Sequence, residues 1–123
     1  MAMLADLKLR IAQTERQKRL SLVELTYGYR LVCNDVERER FASFEISVDV
    51  LGHDPIRDDL LAERLDTHIV EAAGPLDVER TLLLGQGLLD EDVGDDEIKL
   101  RVRVRTESGD VVEAFTPILH GRF

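Results

Sequence analysis

Carboxylates crowd one short stretch of the chain, and they are the first residues whose chemistry calls for an explanation. Six of the eight residues from Asp90 to Glu97 are acidic, and Gly94 among them lets the backbone turn. Hard cations such as Ca²⁺ bind about six to eight oxygen atoms, which carboxylates converging from loops can supply. The stretch therefore suggests a cation site.

A second acidic segment, "GHDPIRDDLL" from Gly52 to Leu61, turns at Gly52 and Pro55. If the two segments meet at one end of the domain, their carboxylates repel one another unless water, protons or a cation neutralise them. The alternative is a solvated acidic surface or a protein contact. The candidate ligands of a Ca²⁺ site are Asp54, Asp58, Asp59, Asp90, Asp92 and Asp96.

The spacing of the Asp90 stretch can be compared with the commonest calcium loop. An EF-hand that begins at Asp90 would place Asp95 where the loop needs its glycine, and Arg101 where it needs a bidentate glutamate. That spacing excludes an EF-hand.

A different calcium-binding family shares more of the pattern. Asp90-x-Asp92, followed by Asp96 and an apolar strand, resembles the third calcium loop of the β-sandwich domains named for the second conserved region of protein kinase C. Asp54 and Asp59 then stand where the first-loop aspartates of that family do. The resemblance implies a small β-sandwich that binds calcium and phospholipid.

Catalytic patterns are scarce in this sequence. His53, His68 and His120 are scattered, and no HExxH motif or cysteine pair is present. His53 and the neighbouring Asp54 could form a general-base pair, which makes a small hydrolase an alternative function. Cys33 shares the apolar side of its predicted strand, which favours a buried, inert thiol. We expect no catalytic residues and no enzyme activity.

The stretch after the carboxylates alternates without exception. From Glu97 to Thr106, aliphatic residues share one face and cations the other, which predicts a strand buried on one side. The cations either pair with acids on neighbouring strands, such as Glu45, Asp49 or Glu113, or form a docking face for an acidic partner or another copy of the chain. The candidate partner-binding residues are Lys99, Arg101, Arg103 and Arg105.

Other strands can be read from the same period-two alternation. Residues 23–33 and 41–50 alternate and are joined by "NDVERER", a connection of hairpin length. After the basic strand, "ESGD" predicts a turn and "VVEAFTPIL" a returning strand. Pro117 should lie at an edge or beyond the last pairing, because it cannot donate a ladder hydrogen bond.

Two segments fit either type of element. Residues 58–73 have helical spacing but also strand-forming Thr67, Ile69 and Val70, and residues 2–18 are similarly ambiguous. Two helices would give an α+β domain. We favour two strands, and so predict a mainly β chain: a single antiparallel β-sandwich of about 7–8 strands over residues 1–123, with room for one short helix.

Composition narrows the classes of function. The net charge of −9 argues against nucleic acid as a partner and against a polybasic membrane anchor. No apolar run is long enough to span a membrane, so we expect no integral membrane association. A single cysteine excludes an internal disulfide framework and suits the cytoplasm.

These observations predict a non-catalytic interaction or structural module, an adaptor or a small subunit of a larger assembly. It would meet a protein partner, or itself, through the basic strand face and the acidic loop end. The alternatives are a Ca²⁺-dependent binding module built on the two acidic loops and a hydrolase that uses His53. We expect no cofactor other than Ca²⁺.

Overall fold

The computed structural model describes residues 2–52, 59–74, 76–85 and 96–121. Within these ranges the chain forms eight strands and two short helices. They are β1 (Met3–Ala12), α1 (Glu15–Arg19), β2 (Leu22–Val32), α2 (Asp35–Glu39), β3 (Ser43–Gly52), β4 (Asp59–Glu71), β5 (Asp77–Gly85), β6 (Asp96–Arg105), β7 (Val111–Phe115) and β8 (Leu119–Gly121).

The strands form two antiparallel sheets. The first has the order β1-β2-β5, and the second has the order β4-β3-β6-β7 with β8 also paired to β6. This confirms the prediction of a mainly β, sandwich-like fold of about eight strands. Each helix has five residues, so neither is long enough to cross a membrane.

Both ambiguous segments contain a long strand. β4 occupies most of residues 58–73, and β1 is followed by the single turn of α1. Near the end of β4, Asp66 and Val70 are buried while Thr67 and Ile69 are exposed, a period of two that only a strand produces. The α+β alternative is therefore wrong.

The connection "NDVERER" does not form a hairpin. It contains α2 and carries the chain from β2 in the first sheet to β3 in the second. Asn34 begins the helix with a capping box to Glu37, which satisfies backbone donors at the start of a very short helix. Phe41 then has a φ of 52°, so β3 begins at Ser43 and not at Phe41 as predicted.

The core lies between the sheets and is mostly aliphatic. The inward residues of β2, β3 and β6 are buried, and so is the thiol-bearing Cys33 directly after β2, whereas Ala42 before β3 is half-buried. Pro117 lies between β7 and β8, as predicted. The largest fully buried side chains are Tyr27, Phe44, Leu25, Leu31, Ile46, Ile98, Leu100, Val48, Val50, Val102 and Val104.

The two sides of the sandwich differ. On one side β1 packs beside β7, so the edges of the two sheets contact each other. On the other side the edge strands are β4 and β5, which border a groove. The groove lies along the open side of the sandwich.

Candidate functional site

The strand ends show where the acidic segments attach. Gly52 pairs with Asp59 on one side and with Ile98 on the other, so β3 ends where β4 and β6 begin. The end of β3, the start of β4 and the start of β6 therefore lie at the same end of the second sheet. We call this the acidic end: the end of the sandwich at Gly52, Asp59 and Asp96.

The predicted Ca²⁺ ligands are only partly within the described structure. Asp54, Asp58, Asp90 and Asp92 lie outside the described residues, as does His53. Asp59 and Asp96 are described by their positions as the first residues of β4 and β6. In the part of the chain that the structure describes, no three His, Cys, Asp or Glu residues are grouped to hold a metal ion.

The basic strand face has the predicted alternation. Lys99, Arg101, Arg103 and Arg105 lie on the outer face of β6, while the aliphatic residues between them are buried. Two of the four cations share one carboxylate. One Asp49 oxygen lies 2.9 Å from a terminal guanidinium nitrogen of Arg101 and 2.8 Å from one of Arg103.

Asp49 was named as a possible partner of these cations, and its contacts with Arg101 and Arg103 agree with that interpretation, but its burial was not predicted. Its position in the β3 alternation is outward, but its side chain is 0% exposed. The reason is a β-bulge, because the register between β3 and β4 shifts on both sides of Val50. At the bulge Arg64 has a φ of 52°, and its backbone N–H donates a 2.8 Å hydrogen bond to Asp49.

The surroundings of Asp49 keep its carboxylate charged. Burial alone would raise its pKa. The hydrogen bonds from the Arg64 backbone and from Arg101, together with the charges of Arg103 and Arg101, outweigh burial and hold the pKa below its ordinary value of 3.8. Asp49 is thus a buried anion enclosed by three donors from two neighbouring strands.

The two outer cations of the face are arranged differently. The ammonium of Lys99 lies 4.7 Å from the centre of the Phe115 ring, a cation–π distance. Arg105 is exposed and makes no ion pair with any other residue in the described ranges. Asp49 therefore forms ion pairs with only the two inner cations of the four, Arg101 and Arg103.

A polar cluster inside the sandwich was missed by the sequence reasoning. The hydroxyl of Tyr27 donates a 2.6 Å hydrogen bond to Asp66, and the Arg80 guanidinium holds the same carboxylate at 2.6 and 3.2 Å. The hydroxyl of Tyr29 lies 2.6 Å from Nε2 of His68. Since the tyrosines and Arg80 belong to the first sheet and their partners to β4, every one of these contacts joins the two sheets.

The cluster shifts the ionisation of its members. Burial, reinforced by the hydrogen bond to Asp66, raises the pKa of Tyr27. For Asp66, burial is outweighed by the hydrogen bonds from Arg80 and Tyr27, so its pKa lies below its ordinary value. Burial and the charge of Arg80 lower the pKa of His68, although Asp66 acts in the opposite direction. The native state therefore favours charged Asp66 beside neutral His68.

The accessibility of these groups limits what they can do. Both tyrosine side chains belong to the buried core, so their hydroxyls do not face a substrate. Asp66 is fully engaged by Tyr27 and Arg80, and Nδ1 of His68 is buried 3.9 Å from Asp66 without a hydrogen-bond partner among the described residues. The arrangement fits a polar connection between the sheets.

A signal for this cluster was present in the sequence. Tyr27 and Tyr29 fall on the inward face of β2, and a buried tyrosine hydroxyl usually finds a hydrogen-bond partner. Arg80 occupies an inward position of β5 among Val78, Leu82 and Leu84. Once residues 58–73 were known to form a strand, the polar residues at inward positions of the three strands could have been expected to hydrogen-bond to one another.

Comparisons with known proteins identify no family for this chain. No family model matches the chain, and no curated protein matches it. Among solved structures, the crystal structure of a protein provisionally named ApaA, from Bordetella pertussis, aligns with a TM-score of 0.48 at 9% identity over 99% of this chain and 94% of that one. An X-ray structure of a structural genomics target aligns with a TM-score of 0.49 at 9% identity, over 99% and 84% of the two chains. Neither likeness bears on the function.

Proposed function

We propose that the chain is a non-catalytic interaction module, an adaptor or small subunit of a larger cytoplasmic protein assembly. It docks an acidic segment of a protein partner on the outer face of β6. The observation that carries this proposal is the row Lys99, Arg101, Arg103 and Arg105, which lies on the outer face of β6 while the aliphatic residues between these cations are buried. The acidic end is the second contact surface.

The charge distribution supports docking by complementarity. On a chain with a net charge of −9, a row of cations extends over seven residues of β6, about 20 Å from the first to the last at the usual rise of a strand. Such a patch guides an acidic partner and discriminates against a basic one. The acidic end of a second copy is one source of the docked segment.

The docking test should change Lys99 and Arg105, not Arg101 and Arg103. Reversing the inner pair would remove the ion-pair partners of buried Asp49 and is expected to destabilise the protein, whereas the outer pair can be reversed without touching Asp49. We expect the double variant Lys99→Glu, Arg105→Glu to weaken binding of a ten-residue glutamate peptide about tenfold at low salt, because attraction becomes repulsion at both positions. Isothermal titration calorimetry measures this, and light scattering measures self-association in the same samples.

The matched control carries the same change of charge elsewhere. Lys18→Glu together with Arg40→Glu alters two exposed cations that lie away from β6. Binding of the peptide should then fall less than about threefold, the effect of net charge alone. Equal losses in the two double variants, or peptide binding that survives reversal of Lys99 and Arg105, would contradict the proposal.

A Ca²⁺-dependent binding module is a second candidate, because the end of β3, the start of β4 and the start of β6 lie at the same end of one sheet. That candidate predicts that Ca²⁺ at about 100 times its dissociation constant adds about 2.7 kcal/mol to the free energy of unfolding. Thermal melting with Ca²⁺ and with Mg²⁺ measures this, and Asp90→Asn with Asp92→Asn should abolish the increase. A melting temperature that millimolar Ca²⁺ leaves unchanged would eliminate this candidate.

A further inference from the structure

The groove on the open side of the sandwich has a volume of about 380 Å³. It lies between β4 and β5, the edge strands of the two sheets, and no other described strand pairs with their outer edges. Among the described residues, those that line it are 68–71, Gly74 and 77–80. The groove is therefore bordered by two backbone edges.

The backbone of β4 is open to another strand along this groove. An edge strand presents unpaired N–H and C=O groups that can pair with an added chain, unless charges, prolines or bulges block it. Residues 67–70 of β4 are Thr, His, Ile and Val, paired with β3 in regular register beyond the bulge at Arg64. By contrast, the edge strand β1 is interrupted by a register shift near Asp6.

Charge and exposure indicate what kind of strand would fit. Asp77 and Glu79 of β5 stand along the groove, and their side chains are 73% and 66% exposed although they contact Arg30 and Arg10. Arg80 is turned towards Asp66, so its charge is already balanced. Ile69, 72% exposed on the outer face of β4, offers an apolar contact on the other side of the edge.

We propose that this groove binds an extended basic segment of a partner protein, added as a strand along residues 67–70 of β4. Alternate side chains of that segment point to opposite faces. Those on one face contact Ile69, and lysines or arginines on the other reach the carboxylates of β5. This surface is separate from the β6 face, and it selects the opposite charge.

The probe is a nine-residue peptide of alternating lysine and valine, titrated into ¹⁵N-labelled protein. We expect its binding to shift the amide resonances of residues 67–71 and 77–80 and to leave those of β6 unchanged. The same peptide with N-methyl groups along one backbone edge should not bind, because strand addition needs its hydrogen bonds. A glutamate–valine peptide should not bind either.

Charge reversal in the protein completes the test. Asp77→Lys with Glu79→Lys should weaken the lysine–valine peptide about tenfold, because two attractive contacts become repulsive. The control Glu39→Lys with Glu113→Lys makes the same change of net charge at exposed sites away from the groove. Lys99→Glu with Arg105→Glu should leave this peptide's binding unimpaired, which separates the groove from the proposed β6 docking face.

Three outcomes would overturn the proposal. They are the absence of binding at millimolar peptide, equal binding of the N-methylated peptide, and equal losses in the groove variant and its charge-matched control. The second and third would reduce the effect to general attraction between a basic peptide and an acidic protein.

Discussion

Replacing Asp49 by alanine is expected to lower the free energy of unfolding by about 3–5 kcal/mol, the usual cost of removing one partner from a buried charged network. The carboxylate is 0% exposed and accepts hydrogen bonds from the Arg64 backbone and from Arg101. Without it, Arg101 and Arg103 lose their shared counter-charge, and the bulge at Arg64 loses its anchor. Urea denaturation at pH 7 measures the change.

Two companion variants separate charge from shape. Asp49→Asn keeps an oxygen for the Arg64 N–H but loses the negative charge, so its loss should be smaller than that of Asp49→Ala. Glu45→Ala, on the same strand and face, breaks an exposed ion pair with Arg64 and should cost at most about 1 kcal/mol. If Asp49→Ala cost no more than Glu45→Ala, the buried network would not stabilise the fold.

The pH dependence gives an independent measure of the same network. The pKa of Asp49 is lower in the folded chain than its ordinary value of 3.8. Its contribution to stability is therefore fully present above that value and is lost as the pH falls through the lower folded pKa. The difference in stability between the wild type and Asp49→Ala should accordingly be constant near neutrality and shrink in acid.

The network also shows where reasoning from sequence succeeds and where it stops. The alternation of residues 97–106 fixes both faces of β6, because strand side chains point up and down in turn whatever the neighbouring strands are. The same rule places Asp49 on the outer face of β3. It cannot show that a bulge in β4 covers that position, because the bulge depends on a pairing between segments distant in the chain.

The connection between β2 and β3 is a second feature that the sequence alone could not predict. The polar run after Cys33 has a length that suits a hairpin, but length alone does not determine whether the next strand pairs with β2 or crosses to the other sheet. Here a helical turn capped by Asn34 carries the chain across. The polar cluster could not be predicted for a similar reason. Asp66 and His68 contact Tyr27 and Tyr29 only across the two sheets, and their separation in the sequence does not show this.

Replacing Asp66 by alanine is the second variant for which we expect a large effect, a loss of about 2–4 kcal/mol in the free energy of unfolding. Tyr27 is completely buried, so its hydroxyl would be left without an acceptor. Arg80 is 40% exposed and can turn its charge to water, which is why the expected loss is smaller than at Asp49. Chemical denaturation again measures the change.

A double-mutant cycle decides whether Asp66 connects the sheets or only fills space. If the hydrogen bond from Tyr27 matters, Tyr27→Phe and Asp66→Ala should be non-additive: the double variant should lose less than the sum of the single losses, because the second change removes a group already left unpaired. Asp77→Ala, which breaks an exposed pair with Arg30, is the control and should cost at most about 1 kcal/mol. Strict additivity would mean that the Tyr27–Asp66 hydrogen bond does not couple the two sheets.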